Sequence, residues 1–109
     1  MNFIEELKKA RNLQNKRLFT EAKSIYNQII NKDKNNYEAN IGLAIIYFLE
    51  NKVSDSTNLF KKIIAVYPNR VESYQNFSNI LISQNKYEEA IICLLNAYKI
   101  NNKNIKILE

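Results

Sequence analysis

Residues 37–51 read YEANIGLAIIYFLEN and residues 71–85 read VESYQNFSNILISQN; laid over each other they superpose without a gap, 34 positions apart. Tyr37 falls on Val71, and Asn51 falls on Asn85. An internal period decides the architecture before any local reading does, because each unit is a supersecondary element repeated in space. Carried along the chain, the period divides it into repeats at 3–36, 37–70 and 71–104, with two residues in front and five behind. Small residues recur in register at Ala22, Ser56 and Ala90.

Within a repeat the apolar spacing is helical. In repeat two, Ala39, Gly42, Leu43, Ile46 and Tyr47 line one helix, and Val53, Ser56, Thr57, Phe60, Ile63 and Ile64 line a second. Neither helix can bury its stripe by itself. Six such helices stacked side by side bury them against one another, so three repeats form one domain over 1–109.

Composition agrees. One Gly and one Pro in 109 residues leave little material for hairpins or phosphate-cradling loops, whereas helix formers are plentiful. The expected class is all-α. A chain this short buries about two thirds of its unfolded surface, so its core has to be economical. The net charge of +5 is scattered, with Glu21, Asp33, Glu50, Asp55 and Glu72 interleaved among the lysines. No helix face carries the basic-plus-aromatic pattern of a nucleic-acid site, and no nucleic-acid partner is expected.

MNFIEELKKARN at the start is charged within six residues and has no apolar h-region, so it does not read as a signal peptide. The longest apolar run, residues 41–49, is too short to span a bilayer. A cytoplasmic setting without a membrane is expected, and the single Cys93 suits a reducing compartment. No His, one Cys and no metal-spaced cluster point to a non-enzyme with no catalytic residues, no metal and no cofactor. Adjacent carboxylates such as Glu88–Glu89 project to different sides of a helix and cannot share a proton. Cys93, in the apolar run IICLLNAY, reads as a packing residue whose pKa is raised rather than lowered.

These residues resemble the tetratricopeptide repeat family. Leu43, Ala44, Tyr47, Phe60 and Pro68 of repeat two stand at the family's spacing, with Ser56 where Ala is usual. Repeat three supplies Tyr74, Phe77, Leu81, Ala90 and Ala97, with Asn102 in place of the proline. Repeat one supplies Ala10, Leu13, Ala22 and Tyr26, while Glu6, Lys9 and Lys34 depart from the pattern. The resemblance implies an α-solenoid, a right-handed superhelix of three helix-turn-helix repeats. It places Tyr26, Tyr47, Phe60, Tyr74, Phe77 and Tyr87 in the core.

It also implies a concave groove lined by the first helices, and a role as a scaffold that binds a peptide or partner protein there. The family's contact offsets fall on Arg11 and Gln14 in repeat one, and on Glu38, Ile41, Ile45 and Phe48 in repeat two. In repeat three they fall on Glu72, Gln75, Asn79 and Ile82, with Asn76 beside them. Ile41, Ile45 and Phe48 form an apolar stripe that the helix pair's seam does not need, and such a stripe is expected to meet a partner. The positions of a chaperone-tail clamp hold Leu7, Arg11, Gly42, Glu72 and Asn76; Glu72 would repel a carboxylate, which argues against that role.

Repeat three resembles repeats found in O-GlcNAc-transferase-like enzymes and beside sulfotransferase domains. That opens an alternative, the substrate-recruiting array of a larger transferase. Asn76 matches the asparagine ladder of those arrays, but Lys8 and Gly42 stand at the same place in repeats one and two. Residues 105–109, IKILE, begin a fourth repeat, or a capping helix, in register. With Ile91, Ile92, Leu94 and Leu95 on the last helix, this implies either a continuation in a longer protein or a face that pairs with another chain, as in a homodimer.

The turn before that helix, QNKYEEAI at 84–91, has Asn85 where the family usually has Gly, as Asn51 is one repeat earlier. Asn tolerates the left-handed backbone such a turn needs. Tyr87, like Phe19 and Val53, is expected to pack inward, and Glu88 and Glu89 to sit in a first helical turn.

Overall fold

The computed structural model describes the backbone of residues 2–108 and the side chains of residues 2–102. The helices are α1 (Ile4–Asn15), α2 (Phe19–Lys32), α3 (Tyr37–Leu49), α4 (Val53–Val66), α5 (Val71–Ser83) and α6 (Tyr87–Leu108). No strand occurs among the described residues. The helices gather into two compact units, residues up to Leu59 and residues from Phe60 onward, a division that falls inside α4.

In the first unit α2 packs on both α1 and α3. Phe3, Leu7 and Ala10 from α1 and the residue before it meet Ala22, Tyr26 and Ile29 from α2, and Leu43 and Ile46 from α3. Glu6 and Lys9, which depart from the repeat pattern, face solvent, so they do not prevent α1 from forming. The Asn2 side chain accepts a hydrogen bond from the Ile4 N–H at 2.9 Å, and Glu5 and Glu6 occupy the first turn, where the dipole favours negative charge. Asn36 caps α3 by accepting from the Ala39 N–H at 2.9 Å. Ser56 is fully buried, and its hydroxyl donates to the Ala44 carbonyl at 2.7 Å, so a polar residue at a position that needs a small one leaves no orphaned group.

The second unit is built on α5 and α6, with the latter half of α4. Phe60 is wholly buried and stacks on Phe77, ring centroids 5.9 Å apart. Tyr74, Ile80 and Leu81 from α5 are buried, as are Ala90, Cys93 and Ala97 from α6. The Tyr74 hydroxyl donates to the Pro68 carbonyl at 2.8 Å, which ties the end of the α4–α5 turn to α5.

The three turns inside the repeats share one geometry. Arg17, Asn51 and Asn85, spaced by the period, have φ of 61°, 64° and 62°. At the first, the Arg17 N–H donates to the Gln14 carbonyl and the Leu18 N–H to the Leu13 carbonyl, both at 2.9 Å. Asn51 and Lys52 repeat the pattern onto Phe48 and Tyr47, and Asn85 and Lys86 repeat it onto Ile82 and Leu81. α1, α3 and α5 therefore each end in a Schellman motif, with Asn51 and Asn85 in the left-handed conformation expected of them. Arg17 is the strained member, since a long side chain gains nothing from the left-handed well. Arg17→Gly is expected to stabilise the chain by about 0.5 kcal/mol after the loss of the guanidinium's stacking 5.1 Å over Phe19, read as a higher midpoint in urea.

Two expectations are corrected. Phe19 packs, half-buried, against the first unit's core, and Val53 is half-buried too, but Tyr87 is 56% exposed and its hydroxyl donates to the Asn85 side chain at 2.8 Å. Phe19 belongs to a helix flanked on two sides, whereas the side of α6 that carries Tyr87 is bare. Residues 105–108 do not follow a turn; they continue α6, and Glu109 lies outside the described residues.

Candidate functional site

The first unit brings Arg11, Gln14 and Glu38 around one tyrosine. α1 and α3 lie side by side, and the Arg11 guanidinium meets the Glu38 carboxylate at 3.3 Å, both side chains more than half exposed. Gln14 is half-buried, and its Oε1 accepts from the Tyr26 hydroxyl at 2.7 Å. Burial raises the Tyr26 pKa above its ordinary value, with Arg11 opposing and Glu38 adding to the rise. The tyrosine is therefore a neutral structural donor at physiological pH. Tyr26 also lies against the backbone of α3 at Gly42, where a Cβ would stand 2.3 Å from its Cζ. The sequence signal for this was the lone glycine in mid-helix, which implies a close packing partner.

A second ion pair spans the same sequence separation. Lys23 donates to Glu50 at 2.8 Å with both side chains largely buried, and Lys23 also stands 6.0 Å over the Tyr47 ring. Sequence reasoning did not single this pair out.

The apolar stripe expected on α3 is not free as a whole. Ile41 is 5% exposed and so cannot meet a partner, while Ile45 and Phe48 are half-buried. Residues 41–44 are all buried, four in a row, so α3 is covered around most of its circumference rather than on one stripe. Glu38, Ile45 and Phe48 keep accessible surface on one side of the helix.

In the second unit α5 divides cleanly. Ser73, Tyr74, Phe77, Ser78, Ile80 and Leu81 are buried, and Glu72, Gln75, Asn79 and Ile82 are exposed, with Asn76 between the two. Ser78 and Ser83 point their hydroxyls back at the Gln75 and Ile80 carbonyls, so the polar residues on the packed side and at the helix end are satisfied locally. Among the described residues, the side-chain amides of Gln75, Asn76 and Asn79 make no hydrogen bond. Gln75 and Asn79 stand one turn apart as free donors and acceptors, with Asn76 beside Gln75 and Ile82 one turn further on.

Family models described as tetratricopeptide repeat match residues 17–77 and residues 71–104. The chain belongs to the tetratricopeptide repeat family. The solved structure titled "MamA RS-1 ArsTM double mutant" superposes on it with a TM-score of 0.81 at 11% identity, over 94% of this chain and 58% of that one. A second MamA mutant gives 0.73 at 12% identity, over 93% and 56%. The chain thus spans little more than half the length of either, and at this identity the likeness is one of fold: an all-α helical-repeat solenoid. No curated protein sequence matches it significantly.

Asn85, Lys86, Tyr87, Glu88 and Glu89 border a depression wide open to solvent. Cys93 is buried, and burial raises its pKa, with Glu89 adding to the rise, so the thiol is protonated and slow to react. Among the described residues, no helix is long and apolar enough to cross a membrane.

Proposed function

We propose that this tetratricopeptide-repeat chain is a non-catalytic interaction scaffold that takes an extended peptide segment along the exposed face of α5. The observation that carries the reading is the row of unpaired amides, Gln75, Asn76 and Asn79, followed by the exposed Ile82. Residues four apart on a helix are separated by about 6 Å along its axis, and alternate residues of an extended strand by about 6.6 Å. A peptide laid along α5 therefore offers a backbone N–H or C=O near Gln75 and again near Asn79. Such bonds are independent of the peptide's sequence. Selectivity comes from the ends of the row, where Ile82 takes an apolar side chain and Glu72 favours a basic one over an acidic one.

The first unit offers a separate surface of the same kind. Ile45 and Phe48 keep part of their area exposed on the side of α3 that carries Glu38, whose partner Arg11 sits on α1. A half-exposed apolar pair beside an ion pair that costs little to open suits the flank of a protein partner. Its single cysteine suits a reducing cytoplasmic setting.

The test is selection from a displayed library of extended peptides, followed by titration of the enriched sequence. Gln75→Ala and Asn79→Ala are each expected to weaken binding by about tenfold with the helical circular dichroism unchanged. Equal binding by the double variant removes α5 as the site.

A further inference from the structure

The outer face of α6 carries more apolar surface than its place in the repeat requires. The period aligns Tyr26, Phe60 and Leu94. Tyr26 packs on α3 at Gly42, and Phe60 stacks on Phe77 of α5, so each second helix uses this position to seat the next first helix. Leu94 is 44% exposed. A further first helix would cover Leu94, but not its neighbours round the helix. Ile92 aligns with Ser24 and Asn58, and Leu95 with Asn27 and Lys61, all four exposed polar residues on the solvent side of α2 and α4. Where the first two repeats meet water, the third has Ile92 at 60% exposure and Leu95 at 52%. Ile91 and Tyr98, also exposed, extend the patch along the helix.

Repeat stacking does not account for Ile92 and Leu95. Nor can the start of another copy cover them head to tail. The α1 residues that align with the packed positions Ala39, Gly42, Leu43 and Ile46 are Glu5, Lys8, Lys9 and Asn12, all exposed, and burying two lysines on an apolar face is costly. A self-complementary pairing of α6 with α6 avoids that cost. Glu88, Ile92, Leu95 and Lys99 follow at i, i+4, i+7 and i+11 and share one side of the helix. In an antiparallel pair with its two-fold axis midway between Ile92 and Leu95, Ile92 meets Leu95 of the second copy, and Glu88 meets Lys99 of the second copy at both ends. The opposed helix dipoles also attract.

We propose that the outer face of α6 is a homodimerisation surface, occupied by α6 of a second copy in antiparallel register. A two-fold contact of this kind closes on itself and does not propagate.

Sedimentation equilibrium of the 109-residue chain tests it. The chain is expected to be dimeric at about 100 µM, and Leu95→Lys or Ile92→Lys to be monomeric there with unchanged helicity, and to melt as the parent does once the parent is diluted to monomer, since both positions are exposed. Glu88→Lys is expected to raise the dimer dissociation constant by about tenfold, and Glu88→Lys with Lys99→Glu in the same chain to restore it. A monomeric parent chain overturns the proposal and leaves a helix of a different protein as the occupant. A dimer indifferent to Leu95→Lys overturns it as well, and failure of the double charge swap to restore pairing overturns the antiparallel register.

Discussion

Gly42→Ala is expected to lower the stability of the chain by about 2 kcal/mol, although alanine is the better helix former by about 1 kcal/mol. The reason is the Tyr26 ring. A methyl group at position 42 would stand 2.3 Å from Cζ and 2.6 Å from the hydroxyl oxygen, closer than non-bonded atoms tolerate. Tyr26 is 3% exposed and its hydroxyl is held by Gln14 at 2.7 Å, so the ring cannot swing aside without breaking that bond or displacing α3 by something on the order of an ångström. Urea denaturation followed by circular dichroism measures the loss. Tyr26→Leu is expected to cost less in the Gly42→Ala background than in the parent, by a coupling of about 1–2 kcal/mol. Additive losses would show that the clash is not with this ring.

The largest loss is expected from Phe60→Ala, about 4 kcal/mol, from a side chain with no exposure that stacks on Phe77. Domains of this size have total stabilities of about 5–15 kcal/mol, so the variant loses between roughly a quarter and most of the total, read as a lower urea midpoint. Phe60→Leu keeps most of the volume and is expected to lose about 1.5 kcal/mol. A Phe60→Ala variant as stable as the parent would mean that the Phe60–Phe77 stack contributes little to the second unit's core.

What was legible in the sequence was whatever the period repeats. The helix pairs, the buried small residues Ala22, Ser56 and Ala90, and the left-handed turns at Asn51 and Asn85 recur every 34 residues, so each position was read against two others. Arg17 shares the turn geometry without the residue type and was therefore missed. Repetition failed where a neighbour differs between repeats. Tyr87 aligns with the half-buried Phe19, yet α2 has α3 beside it and the corresponding side of α6 is bare. Ile41 looked free because its own helix pair did not need it, and pairwise reasoning does not count all the neighbours of a central helix. Gln14 stands at a contact offset, and its Oε1 also accepts from a tyrosine twelve residues away, a link that only the coordinates show. The α5 row was legible as positions, whereas its freedom from internal hydrogen bonds required coordinates.

The closed turns at Arg17, Asn51 and Asn85 bear on how quickly the chain reaches this structure. Each stops a helix and reverses the chain through backbone bonds that span only a few residues, so the two helices of a repeat meet without any distant segment having to arrive first. Little loop-closure entropy is lost before the contacts that reward it, which places the chain among fast folders on the microsecond-to-millisecond scale. Helical hairpins set by local turns can nucleate in any repeat and grow into their neighbours, so a newly made chain need leave its apolar faces open to wrong partners only briefly.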